Sequence, residues 1–142
     1  MIVLDTDVLS LITTGSGADA DRLRERVGSR GERIAVTIVT LLEQLRGRLA
    51  QCMKASTPEQ FAAAALQLRE TLNDYRDRRV LDFGDRAVGH FKRLKADKVR
   101  IGTMDLRIAA IVLANDATLV TRNLADFGKV SGLRAADWTA RI

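Results

Sequence analysis

The sequence predicts an α/β sandwich built on a mostly parallel sheet of short strands. Short apolar runs alternate with longer helical segments along the 142 residues, the order that crossover connections in a parallel sheet produce. The runs are apolar throughout instead of at every second residue, as strands covered on both faces must be. A third feature places the function. Four carboxylates, Asp5, Glu43, Asp105 and Asp126, fall one per βα unit, and Asp5 and Asp126 lie at or just beyond strand ends. Ligands of open parallel sheets bind in the crevice outside those ends.

Ile2-Val3-Leu4 forms the first strand, Asp5 ends it, and a turn or helix starts at Thr6-Asp7. Thr14-Gly15-Ser16-Gly17 is a flexible loop; the polar stretch from Asp19 to Val27 is helical and is broken by Gly28-Ser29-Arg30-Gly31. Ile34-Ala35-Val36 is the second strand. In the helix that follows, over about 37–54, Ile38, Leu41, Leu42, Leu45, Leu49 and Cys52 make one apolar stripe. Glu43 lies off that stripe, on a face shared with Thr40, Gly47 and Ala50, whose small side chains let another element come close.

Thr57 is an N-cap, Pro58 takes the first helical position and Gln60 completes a capping box, so a second helix runs to about Arg78. The two helices form a hairpin over about 37–79, with spare apolar surface for a second copy or another protein. Val80-Leu81-Asp82-Phe83 is the third strand, and Asp85 to Ala96 is amphipathic through Ala87, Val88, Phe91 and Leu94, with His90 beside that stripe as a structural histidine. Thr103 is a natural N-cap for an apolar helix reaching Ala114, in which Asp105 shares an inward face with Ile108, Ala109 and Val112. Thr118-Leu119-Val120-Thr121 is the fourth strand; after it Asn123 and Asp126 either cap a turn or complete an acidic cage. No linker or repeat interrupts the chain, and a single domain over 1–142 is expected.

Burying an unpaired carboxylate costs several kcal/mol or shifts its pKa, so such groups pair or coordinate a metal. Four of them converging at one end of a sheet would form a hard oxygen cage suited to Mg²⁺ or Mn²⁺ and to phosphate-ester chemistry. Twenty-three Lys and Arg face eighteen Asp and Glu, a net charge of +5. With four acids drawn into one pocket the remaining surface is more basic still, and it should attract polyanions in a salt-dependent way. Aromatic residues are 4%, too few for a base-stacking platform, so nucleic acid would be held mainly through its phosphates. Cys52 is the only cysteine, which rules out a disulfide framework or a thiolate zinc site within one chain. No apolar run approaches the roughly 20 residues of a membrane span, and no signal-peptide pattern opens the chain. The cytoplasm is the expected compartment.

Four segments also resemble a known family. They are Ile2-Val3-Leu4-Asp5-Thr6-Asp7-Val8-Leu9-Ser10, the stretch from Val36 through Glu43 to Gly47, the stretch from Ile101 through Asp105 to Ala110, and Leu119-Val120-Thr121-Arg122-Asn123-Leu124-Ala125-Asp126-Phe127. In this order they are similar to the four motifs of PIN-domain proteins of the VapC type, the toxin components of toxin–antitoxin pairs, with Asp7 where Asn is usual. The resemblance covers nearly the whole chain. It implies a PIN-like, Rossmann-like α/β/α sandwich with four or five parallel strands, Mg²⁺ or Mn²⁺, and cleavage of RNA that inhibits translation. It also implies a homodimer and a VapB-type antitoxin. Asp5 and Asp105 would ligate the principal metal, with Glu43 and Asp126 binding a second ion or orienting water and Thr6 and Asn123 in support. The family completes its acidic site with the residue at either Asn123 or Asp126; charge favours Asp126.

Two rival functions share these residues. Asp5-Thr6-Asp7-Val8 resembles the nucleophile loop of haloacid-dehalogenase-type phosphatases, a reading that leaves Glu43 unexplained. A non-catalytic RNA-binding or antitoxin-titrating module would keep the fold and cleave nothing, and the presence of all four acids argues against it. The sequence does not name the RNA.

Overall fold

In the computed structural model, which describes residues 1–141, the chain begins with β1 (Ile2–Leu4), α1 (Thr6–Thr14) and α2 (Ala18–Ser29). Next come β2 (Ile34–Thr37), the long helices α3 (Ile38–Lys54) and α4 (Pro58–Arg76), and β3 (Arg79–Leu81). The remainder is α5 (Asp85–Ala96), α6 (Thr103–Ala114), β4 (Thr118–Val120), the single turn α7 (Leu124–Phe127) and β5 (Arg134–Ala136). The strands lie in the order β3-β2-β1-β4-β5, and every pairing is parallel.

Alternate side chains of each strand leave on opposite faces, and both faces are covered. Val3, Ala35 and Leu119 pack with Ala87 and Leu94 of α5 and with Leu106, Ile108, Ile111 and Val112 of α6. Ile2, Leu4, Val36 and Val120 pack on the other face with Val8 and Leu9 of α1, Leu23 of α2, Tyr75 of α4 and Trp138. That is why the strands are apolar without alternation. α6 is buried nearly all round, which explains its lack of a polar face.

From β1 the chain crosses first to β2 on one side and later reaches β4 on the other. The reversal point therefore lies between the carboxyl ends of β1 and β4, where Leu4 stands opposite Val120 and Asp5 N–H donates to the Val120 carbonyl at 3.0 Å. A crevice forms at such a point because neighbouring crossovers diverge to opposite faces.

Several sequence expectations shift. The break after α2 comes at Gly31, whose φ is +63°, while Gly28 and Ser29 stay helical. Thr103 is the first residue of α6, not its cap; Gly102 precedes it without a side-chain cap bond. β3 stops at Leu81, opposite Thr37, because its neighbour β2 turns into α3 there. The apolar stripe of α3 is only partly covered: Leu42 and Leu49 are each 53% exposed, whereas Val39 and Thr40 are buried. α4 runs antiparallel to α3, with Tyr75 donating to Gln44 at 2.7 Å and Arg48 to Thr71 at 3.1 Å. Among the described residues no helix is long and apolar enough to cross a membrane.

Candidate active site

Asp5 follows directly on β1 and caps α1, its Oδ1 accepting from Thr6 N–H at 2.8 Å. Its Oδ2 accepts from the Thr121 hydroxyl at 2.8 Å. Thr121 is fully buried at the end of β4, and the same hydroxyl oxygen accepts from Asn123 N–H at 3.0 Å. Asp5 is thus a buried carboxylate with two neutral donors and, among the described residues, no ion pair. Burial pushes its pKa up; the bonds from Thr121 and Thr6 oppose that rise without cancelling it.

Glu43 reaches the same place from the second turn of α3. Thr37 caps that helix by accepting from Thr40 N–H at 3.1 Å. One direction of donation satisfies the hydroxyls in series. Thr37 donates to Thr40 at 3.4 Å, Thr40 to Thr6 at 3.0 Å, and Thr6 to Glu43 Oε1 at 3.0 Å. Such a chain polarises toward its anionic end. Among the described residues no buried side-chain polar atom lacks a partner.

Asp105 sits in the first turn of α6, half-buried and without a hydrogen bond among the described residues. Its pKa is pushed up to about 6, first by burial and then by the negative charges of Asp5, Glu43, Asp126 and Asp7. Asp126 behaves differently. Asn123 caps α7, accepting from Asp126 N–H at 3.3 Å and donating to Asp126 Oδ2 at 3.1 Å. Lys129 Nζ lies 3.5 Å from Asp126 Oδ1. These contacts, the Asn123 bond foremost, draw the Asp126 pKa down.

Asp5, Thr6, Asp7, Glu43, Asp105, Arg122 and Asn123 line one cleft of about 380 Å³ at the switch point. The structure thus brings together Asp5, Glu43, Asp105, Thr6 and Asn123. Asp126 stands outside the lining, turned toward Lys129, near enough to raise the Asp105 pKa. Thr121, Thr40, Asp7 and Arg122 take part without having been singled out as site residues.

As the side chains lie, no three Asp, Glu, His or Cys groups among the described residues are close enough to hold an ion. The donors nevertheless suit a hard divalent cation. They are all oxygens, and Mg²⁺ is commonly held through one or two carboxylates with water completing its shell. Burial and the neighbouring negative charges together disfavour ionised Asp105, and a cation placed there would offset that cost.

A model of the PIN domain family matches residues 2–133. The chain belongs to the PIN domain family. Two relatives of this PIN domain carry the name tRNA(fMet)-specific endonuclease VapC. One, from Salmonella typhimurium strain LT2, is 28% identical over 122 residues, covering 83% of this chain and 85% of the relative. The other, from Shigella flexneri, is 26% identical over 141 residues, covering 96% and 97%. The structure of VapBC-1 from nontypeable Haemophilus influenzae superposes with a TM-score of 0.74 at 24% identity, covering 99% of this chain and all of that one. The five-stranded parallel sheet between helical layers is the PIN fold that the four motifs imply.

The acidic site should weaken the metal-free PIN domain as pH rises. The folded Asp105 carboxyl stands at about 6 against an ordinary 3.8, so between those values the folded chain binds more protons than the unfolded one. Stability falls through that window and stays lower above it. In chelator at pH 7.5, Asp105→Asn should therefore raise the melting temperature by a few degrees, on the order of 1 kcal/mol, and at pH 4 it should not. Thermal melts at the two pH values check this; equal shifts at both would mean that ionisation of the buried Asp105 carboxyl is not the cause.

Proposed function

We propose that this PIN domain is a divalent-metal-dependent endoribonuclease of the VapC type and the toxin of a toxin–antitoxin pair. The observation that carries this reading is Asp5, Glu43 and Asp105, from three separate elements, on the wall of one cleft at the switch point of the sheet. The names of the VapC relatives support an RNA substrate, and the likeness to VapBC-1 supports a VapB-type partner.

Asp5 and Asp105 would hold Mg²⁺ or Mn²⁺, which when bound supplies a water of lowered pKa and counter-charge for the phosphoryl oxygens. The chain does the rest. Thr121 and Thr6 fix both oxygens of Asp5, so its carboxylate meets the ion in one orientation. Glu43 Oε1 is tied to Thr6, leaving Oε2 to align the attacking water and accept its proton. Asn123, held by Thr121, also lines the cleft and bonds to Asp126, which stands outside the lining. The surplus of basic residues elsewhere favours a polyanionic substrate. The same reading makes the protein cytoplasmic and dimeric.

Purified protein should cut tRNA(fMet), the RNA named for its relatives, in Mg²⁺ or Mn²⁺. EDTA should stop the reaction, and a small phosphomonoester should survive. Binding of RNA without cleavage in saturating metal would favour the non-catalytic module, and hydrolysis of the phosphomonoester alone would favour the phosphatase.

A further inference from the structure

Among the described residues the wall of the acidic cleft carries one cation. Arg122 stands there with Asp5, Asp7, Glu43 and Asp105, and together with Thr6, Asp7 and Glu43 it also lines the adjoining groove that passes Ser10 and Gly15 along α1. It marks the junction of the two, with its side chain 41% exposed. Its Nε donates to Asp7 Oδ2 at 3.0 Å. Among the described residues neither of its terminal NH₂ groups has a hydrogen-bond partner.

This geometry divides the guanidinium. Asp7 engages the side of the fork through one bond; the end-on pair of NH₂ groups stays available, and that pair matches two phosphate oxygens bidentately. An RNA strand reaching the cleft meets four carboxylates. Metal between Asp5 and Asp105 would offset them at the scissile phosphate but not at the neighbouring one. We propose that Arg122, paired through its Nε with Asp7, grips the phosphate next to the scissile one where the strand passes from the cleft into the groove along α1. This inference rests on the nuclease reading. Asp7 stands where the resembling motif usually has Asn, and an acid there orients the Arg122 cation through charge as well as hydrogen bonding.

The test measures binding apart from cleavage. A labelled single-stranded oligoribonucleotide is titrated by fluorescence anisotropy with the Asp105→Asn chain in Mg²⁺, across a range of salt. Adding Arg122→Ala should raise Kd about tenfold, the scale of one charge-assisted contact. It should also make the slope of log K against log salt shallower by about 0.7, as loss of one phosphate contact on a single strand requires. Arg122→Lys should restore the slope but only part of the affinity, because an ammonium is a point charge without the fork. A strut that merely joins α1 to the segment after β4 would lower the melting temperature and leave the slope unchanged. If wild type cleaves RNA while Arg122→Ala keeps the parent slope and Kd, the nuclease reading stands and the grip is overturned. A wild-type chain that neither binds nor cleaves RNA in Mg²⁺ overturns both.

Discussion

Asp5→Asn is expected to reduce metal-dependent RNA cleavage by at least about a hundredfold, the scale on which single preorganised charged or polar groups act in active sites, while the protein stays folded. The fold should survive because asparagine can keep the bond from Thr6 N–H. Thr121 retains the bond that it accepts from Asn123. The hydroxyl proton of Thr121 loses its acceptor, a cost of about 1 kcal/mol. Relief of a buried, unpaired charge, whose pKa is already raised, works in the opposite direction. The two effects leave the melting temperature within a few degrees of wild type. Single-turnover cleavage of tRNA and a thermal melt on the same sample test both halves. Near-normal cleavage would remove Asp5 from the machinery, and a collapsed melt would make it a structural residue.

Overproduction of the chain alone should arrest growth, and Glu43→Ala should abolish that arrest. Glu43 ends a relay of hydroxyls without holding it up. In its absence Thr6 and Thr40 still bond to each other and Thr37 still caps α3. The variant thus loses the carboxylate that would align water and keeps the scaffold. A competing cause of harm exists on the surface, where Met53 is 86% exposed, Leu66 58% and Phe61 54% along the hairpin; such apolar surface can aggregate or capture other proteins. Glu43→Ala leaves that surface untouched. Growth curves at expression matched by immunoblot separate the causes, and equal arrest by both proteins would assign the harm to the hairpin.

Much of this arrangement is legible in the sequence because burial made certain residues conspicuous. Asp5 ends an apolar strand and Asp105 interrupts an apolar helix face, and no solvent-facing role suits either position. The boundaries of α5 follow from periodicity alone, since its polar and apolar faces separate cleanly. The stripe on α3 was a weaker guide. Leucines at helical spacing predict an apolar face, but they do not say that a core lies against it, and here Leu42 and Leu49 face outward. β5 escaped notice because Arg134-Ala135-Ala136 has no β-branched residue; pairing with β4 makes it a strand. Thr121 gave no signal either, because threonine at a strand end is ordinary, and its dual bond to Asp5 and Asn123 exists only once β1 and β4 are neighbours. Charge favoured Asp126 over Asn123, yet charge does not say which side chain faces a cleft. Asn123 lines it, and Asp126 turns to Lys129.

The placement of Asp5, Glu43 and Asp105 has a consequence for how such a chain can diverge. Each stands within two turns of the sheet's carboxyl edge: Asp5 on the strand end, Glu43 early in α3, Asp105 at the start of α6. No residue of α3 beyond Glu43, and none of α4, lines the cleft. The tip of the hairpin, from Cys52 to Phe61, therefore forms no part of the cleft wall. Whole helical turns can be added or removed there, and its surface rewritten for a new partner, while the reacting groups keep their register. The cleft acid Glu43 and the exposed hairpin tip occupy separate ends of one helix and can drift at different rates.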